Sequence, residues 1–422
     1  MGRFLFFWFF LHLFCKSSGQ MLQLFEHRYR DIIEGMVCIN HKSYYLERVD
    51  FPFQDALFLA GVNENGIPCL KKSLLNGNSS FLSGSRKILK TKDNHLLCMY
   101  RNAQSCDVGG NSIFMSKLDT NGNFIFTVPI TLPSSPWDMT QYTDSTYYVL
   151  SSTVLRHYSK SGQFINDKVF TATNFYCLSV LNNGHLFLSN QTDYCEIDTA
   201  GNFIQIVPAN TFIKKLKQTS SGKIFGLTTS GQLYKFSANF SILNQSQLPG
   251  ITITDFVCRD DTVYLTGYIN SNTVPYYAKM TANLNLVYQT SNTLSNILPL
   301  GIDLSSDDLV NISARSSCAG NSFARAYFRF PMNGDFTESN DVGVVSFTAT
   351  QLTHLGGYFF NGQFDVEVRN YGNQLVSGFN LNSERSYIIC MDSWQKWYDT
   401  ILPPGSSVIV HTGSLNLSSP VW

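Results

Sequence analysis

The stretch LSVLNNGHLFL, Leu178 to Leu188, sets two apolar runs on either side of a polar Asn-Asn-Gly turn, which is the grammar of a β-hairpin. The same pattern returns until it has been written seven times. With the turns in register, one column reads Met36, Ile88, Met139, Leu178, Leu216, Phe256 and Ile302. Eight positions later a second column reads Tyr44, Leu96, Tyr147, Leu186, Ile224, Tyr264 and Val310. Between them stand the turns NHK, KDN, TDS, NNG, SSG, DDT and SDD. All fourteen column positions are apolar or aromatic. The first column advances in steps of 52, 51, 39, 38, 40 and 46 residues, close to the length of a four-stranded propeller blade. The fold class expected is therefore all-β, a seven-bladed β-propeller over residues 20–340.

A second turn repeats downstream of each hairpin. DTNGNF (Asp119 to Phe124), SKSGQF (Ser159 to Phe164) and DTAGNF (Asp198 to Phe203) lie about 40 residues apart. Glycine belongs there because a tight hairpin needs a positive φ. The Asp-x-Asn-Gly-Asn run differs from a calcium loop of the EF-hand type, which places Gly sixth and Glu twelfth. Between the signal-like N-terminus and the first hairpin, Leu22 to Gly35 supplies either a ring-closing strand or a short helix.

Charged residues make up 14% of the 422-residue chain, against about 25% in an ordinary globular protein. The 30 basic and 30 acidic residues cancel, so no global field draws the protein to nucleic acid, which is excluded as a partner. At the N-terminus, Arg3, the apolar run Phe4 to Phe14 and Ser17-Ser18-Gly19 have the layout of a signal peptide, residues 1–19, cleaved after Gly19. That run is too short to span a bilayer and no other segment is long and apolar enough, so no integral membrane segment is expected. Cleavage leaves nine cysteines, of which Cys98 and Cys106 form the best local pair, while Cys38 and Cys258 share one hairpin position and read as small buried residues.

Beyond residue 340 the grammar changes. Asp341 to Leu352, Gln363 to Leu381 and Ser386 to Leu415 carry alternating strands over about eighty residues, the pattern of an immunoglobulin-like β-sandwich at 341–422. The blade copy Ile88 to Phe126 resembles those of secreted propeller proteins common in Bacteroidetes. VRNYGNQLVSGF (Val368 to Phe379) and LPPGSSVIV (Leu402 to Val410) resemble the CARDB-like, immunoglobulin-type adhesion modules that follow such propellers. The resemblance implies export, often through type IX secretion, to the cell surface or medium, and a role in adhesion. Such proteins usually end in a sorting domain; the sequence stops at Trp422 without one, which implies a fragment, a periplasmic protein or another export route.

Catalytic motifs are missing: there is no HExxH, GxSxG, Walker loop, GxGxxG or CxxC, and the eight histidines are scattered. No cofactor or metal is expected. Three connections between second and third strands are long, Tyr100 to Ser112, Gly267 to Pro275 and Ala314 to Arg325, and such loops commonly form the ligand face of propellers. Their polar residues Arg101, Asp107, Asn111, Arg315, Asn321 and Arg325 are the candidate binding set, on the rim of blades two and seven. The function expected is an exported, monomeric, non-catalytic protein that binds extracellular protein or glycan. The alternatives are a propeller-fold polysaccharide hydrolase or lyase, with two carboxylates converging on the channel, and a purely structural surface component.

Overall fold

The computed structural model describes residues 10–14, 21–26, 31–50, 55–63, 68–74, 87–102, 112–132, 134, 136–171, 174–270, 273–291, 297–318, 322–332, 342–356, 359–370, 379–386, 391–398, 400–403 and 405–418. Seven antiparallel four-stranded sheets account for the hairpin repeats. The first strands of blades one to seven are Asp31–Ile39, Lys87–Lys90, Pro136–Gln141, Cys177–Val180, Ile213–Gln218, Ile251–Arg259 and Ile297–Leu304. Each lies against the first strand of the next blade, and the seventh lies against the first, so the seven inner strands form a closed ring around a channel. The repeat explains this closure. All fourteen column residues are buried, so each hairpin carries an apolar face that only a neighbouring blade can cover.

The ring is shut by the N-terminus. Blade seven takes three strands from late in the chain, Ile297–Leu304, Leu309–Cys318 and Ser322–Pro331, and its outer strand is Met21–Glu26, paired antiparallel from Met21 opposite Arg329 to Glu26 opposite Ala324. Of the two readings of Leu22 to Gly35, the strand is the one adopted. The segment expected as the loop Ala314 to Arg325 is largely strand instead, because Leu309–Cys318 and Ser322–Pro331 pair along their whole length.

Turn chemistry follows the repeat. In the first turns Asn94, Ser145, Gly184, Gly222 and Asp308 all have φ between 56° and 86°. In the second turns Gly122, Gly162 and Gly201 do the same, with Phe240 and Leu284 in the equivalent places of blades five and six. Asp119 Oδ1 accepts the N–H groups of Asn121 and Asn123, both at 2.8 Å, and its Oδ2 accepts Asn123 Nδ2 at 2.9 Å. These carboxylate oxygens close the turn.

After the propeller, Val342–Gly356, Phe359–Asn370 and Ser407–Ser418 form one three-stranded sheet. A second sheet joins Phe379–Ser386 and Met391–Tyr398 to the N-terminal strand Phe10–Phe14, with Phe10 opposite Glu384. Among the described residues no helix is long and apolar enough to cross a membrane. Cys98 is buried and carries no disulfide, as is Cys38; Cys106 lies outside the described residues.

Candidate functional site

Position along the inner strand decides what meets the channel. The residues one place before the first apolar column are Gly35, Lys87, Asp138, Cys177, Lys215, Asp255 and Gly301. Five of these seven carry an ionisable side chain, immediately beside a column that is wholly buried. Their contacts explain why the fold tolerates them. Lys87 Nζ donates to Asp138 Oδ1 in the next blade, and Asp138 Oδ2 accepts the N–H of Leu178 in the blade after that at 2.8 Å. Lys215 Nζ donates to Asp255 Oδ1 at 2.5 Å, and Asp255 Oδ2 accepts the N–H of Ile302 at 3.1 Å. Asp303, two places further in, accepts the N–H of Cys38 at 2.6 Å and so ties blade seven to blade one. Ser179 Oγ donates to Leu216 O at 3.1 Å between blades four and five.

At the junction of blades one and two the tie comes from the second strand, where Tyr44 donates to Thr120 O at 3.0 Å, and on the inner strand Gly35, at φ 69°, lets the backbones close up. A Cβ on it would sit 3.0 Å from Ile88 Cγ2. The three carboxylates also accept the next N–H of their own strands, Met139, Phe256 and Leu304, at 2.8–2.9 Å. They are inter-blade staples, with their lone pairs committed to main-chain donors.

Electrostatics follow from enclosure. Burial among the blades pulls the Lys87 ammonium down to about 7, against the pull of Cys177 and Asp255. Burial pushes the Cys177 thiol up to about 11 against the pull of Lys87, which keeps it protonated and unreactive at neutral pH. Burial also raises the Asp303 carboxyl, opposed by the N–H groups of Cys38 and Leu304.

At the end of the channel nearest the first hairpin turns, neighbouring blades are laced to one another. Tyr142 donates to Gly184 O at 2.6 Å, Asn182 Nδ2 to Thr219 O at 2.7 Å, and Lys223 pairs with Asp261 at 2.5 Å. Arg259 pairs with Asp308 at 2.5 Å. Arg329, only 4% exposed, donates to His41 O at 3.3 Å, Asn63 O at 3.4 Å and Asp307 Oδ2 at 2.9 Å, closing the seam between the last blade and the first.

The opposite end is built differently. Near the start of five of the seven inner strands the ladder slips by a bulge, at Gly35 in blade one, Trp137 in blade three, Lys214 in blade five, Thr254 in blade six and Leu300 in blade seven, while blades two and four pair in regular register. A bulge re-aims its side chain and ends regular pairing. Trp137 is 50% exposed and meets Tyr176 of blade four edge-on, with centroids 5.0 Å apart and planes at 77°. Tyr176 in turn meets Phe212 of blade five at 5.2 Å and 66°. An aromatic arc therefore spans three blades at this mouth. The inner strand of blade five descends from it carrying Lys214, Lys215 and Lys217. Lys215 is paired. Lys214 and Lys217 are exposed, and among the described residues neither makes an ion pair or hydrogen bond. The surrounding walls still pull both ammonium groups below their ordinary range, with neighbouring Lys215 adding to the effect.

Of the rim residues expected from the sequence, Arg101 lies in blade two and Arg315 and Arg325 in blade seven. Arg315 and Arg325 stand directly opposite each other, and Arg101 lies in the second strand of its blade opposite Ile113. Asp107, Asn111 and Asn321 lie outside the described residues. The sequence reading missed the mouth of blades three to five. The signal was present as ionisable residues immediately before a column that must be buried, and as aromatics one place earlier in Trp137 and Tyr176. His95 and His185, which follow the first turns, bond to the acidic residues Asp93 at 2.9 Å and Glu196 at 2.5 Å.

No family model matches the chain, and no curated protein does. Solved structures with a similar course of chain include YCF48 bound to D1 peptide, at 10% identity and TM-score 0.48, covering 74% of this chain and 96% of that one. Another is the Dos1 propeller, at 11% identity and TM-score 0.46, covering 77% and 96%. BamB from Moraxella catarrhalis follows at 12% identity and TM-score 0.42, covering 75% and 96%. At such identities the likeness extends to the fold alone, and the count of blades rests on the seven closed sheets themselves.

Proposed function

We propose that the protein is a non-catalytic binding protein that presents the channel mouth of blades three to five to an extracellular partner. The observation that carries this reading is the state of the channel carboxylates. Asp138, Asp255 and Asp303 each accept two main-chain N–H groups, one of them from the neighbouring blade. A glycosidase pair needs one carboxyl free to give a proton and another free to attack or to activate water. Staples of the ring cannot supply either without loosening it. Above them lies a half-exposed aromatic arc with unpaired cations, the composition of a recognition surface.

Export and adhesion complete the proposal, on the resemblance of the N-terminus, the blades and the immunoglobulin-like tail. Cleavage after Gly19 keeps Met21–Glu26 in blade seven and removes Phe10–Phe14 from its pairing with Phe379–Ser386. N-terminal sequencing of the exported chain is expected to begin at Gln20; a chain retaining residues 10–14 contradicts export by cleavage. For the binding role itself, purified protein is incubated with peptide and glycan arrays and with a panel of polysaccharides. Retention of a ligand with no released product is the result expected, and product release would instead assign the hydrolase or lyase reading.

A further inference from the structure

The geometry points to an acidic peptide segment as the occupant of this mouth, its apolar side chain seated in the corner of Trp137, Tyr176 and Phe212 and its carboxylate on Lys214 and Lys217. This rests on the binding role proposed above and names the chemistry of its ligand. Two independent features choose the class. The rings stand at 77° and 66° to one another, which makes a notch with perpendicular walls. A sugar ring stacks best on a flat aromatic face, whereas a notch closes around one protruding side chain from several directions. The lysines then choose the charge. Lys87 and Lys215 already hold Asp138 and Asp255, so an incoming anion would have to displace a staple to reach them. Lys214 and Lys217 are on the same strand, reached by solvent, and make no ion pair or hydrogen bond among the described residues. Asp255 and Asp303 act on these ammonium groups only at longer range, with their oxygens committed to main-chain N–H groups, and walls of low polarizability strengthen the pull of such a cation on an incoming carboxylate beyond that of a surface lysine.

Depth is consistent with a peptide. From Lys214 to Lys217 is three residues of strand, about 10 Å at roughly 3.3 Å each, which an extended segment of three or four residues covers. At the opposite end the polar groups of the turns are spent on one another between blades.

The test uses the full chain and fluorescence polarisation with a labelled hexapeptide pool that combines Asp or Glu with Leu, Phe or Pro at each spacing. Matched pools carry Asn and Gln in place of the acids, and oligogalacturonate and neutral oligosaccharides form a second arm. The expected result is binding of acidic peptides that weakens at least tenfold in the amide pool, in Trp137→Ala and in the double variant Lys214→Met, Lys217→Met, with melting temperature unchanged. Lys217→Arg, which keeps the charge, is expected to bind within about threefold of the parent; should Trp137→Ala fail to fold, Trp137→Phe with its smaller face replaces it. Equal binding by acid and amide pools, or acidic binding that ignores these variants, overturns the inference. Binding of oligosaccharide alone overturns it while leaving a binding function in place, and absence of all binding together with product release from a polysaccharide removes both.

Discussion

Single residues in this ring do work out of proportion to their number, and the inner-strand aspartates are the clearest case. Asp138 lies 5% exposed with Lys87 on one oxygen and the Leu178 N–H on the other. Asp138→Ala strands an ammonium and a main-chain donor inside the ring, so a loss of about 3–5 kcal/mol in a urea titration is expected; a loss below about 1 kcal/mol would show that the contact is not stabilising. Asp93 acts at the other end through pH. Burial pushes its carboxyl up, but hydrogen bonds from Lys117 at 2.6 Å, Thr91 at 2.6 Å and His95 outweigh this and hold it well below the usual carboxylate range. Its folded value is thus lower than its unfolded one, so its contribution is complete above about pH 4 and is lost as the medium is acidified further. Asp93→Asn is expected to leave an acid-denaturation curve shallower below about pH 4 and to lower stability at pH 7; unchanged curves in both regions contradict this role.

At the scale of the element, the hairpins were legible and their irregularities were not. Burial imposes the two apolar columns, and a buried column repeated seven times can be read directly from spacing. The second turns were harder where glycine is absent. Phe240 takes φ 58° while 1% exposed and packed 5.0 Å from Phe187, so a blade-five turn hides behind a residue that reads as core. The bulges that re-aim Trp137 and Lys214 are set by how neighbouring inner strands crowd around the channel, which no local pattern records. Long loops in the sequence point to blades two and seven, whereas the aromatic arc on blades three to five is set by contacts between blades that sequence spacing does not record. Positive φ gives two opposed predictions. Ser145, at φ 72° and only partly buried, is expected to gain about 1 kcal/mol on replacement by Gly, since strain is relieved and little contact is lost. Leu284, at φ 62° but 4% exposed in the core, is expected to lose about 1–3 kcal/mol on the same change, because burial outweighs the strain. Thermal denaturation of the pair decides; the same sign for both would mean that backbone strain and packing were wrongly weighed.

For the whole molecule, each blade covers its neighbour, and cooperativity around the ring follows. Leu186, fully buried between blades, is expected on replacement by Asp to abolish the folded ring as a unit, seen as loss of the cooperative melting transition; a folded variant with an unaltered transition contradicts the shared core. A mouth exists only if the wheel is shut, and the shutter is Met21–Glu26 beside Ser322–Pro331. Gln23 stands opposite Tyr327 in that ladder. The most direct measurement is therefore disulfide trapping of the double variant Gln23→Cys, Tyr327→Cys under mild oxidation, followed by digestion and mass spectrometry. A cross-linked peptide joining positions 23 and 327 in high yield is the result predicted. Free thiols at both positions, with position 23 cross-linking to no cysteine placed anywhere along 322–331, would contradict the closed seven-bladed ring and the channel mouth with it.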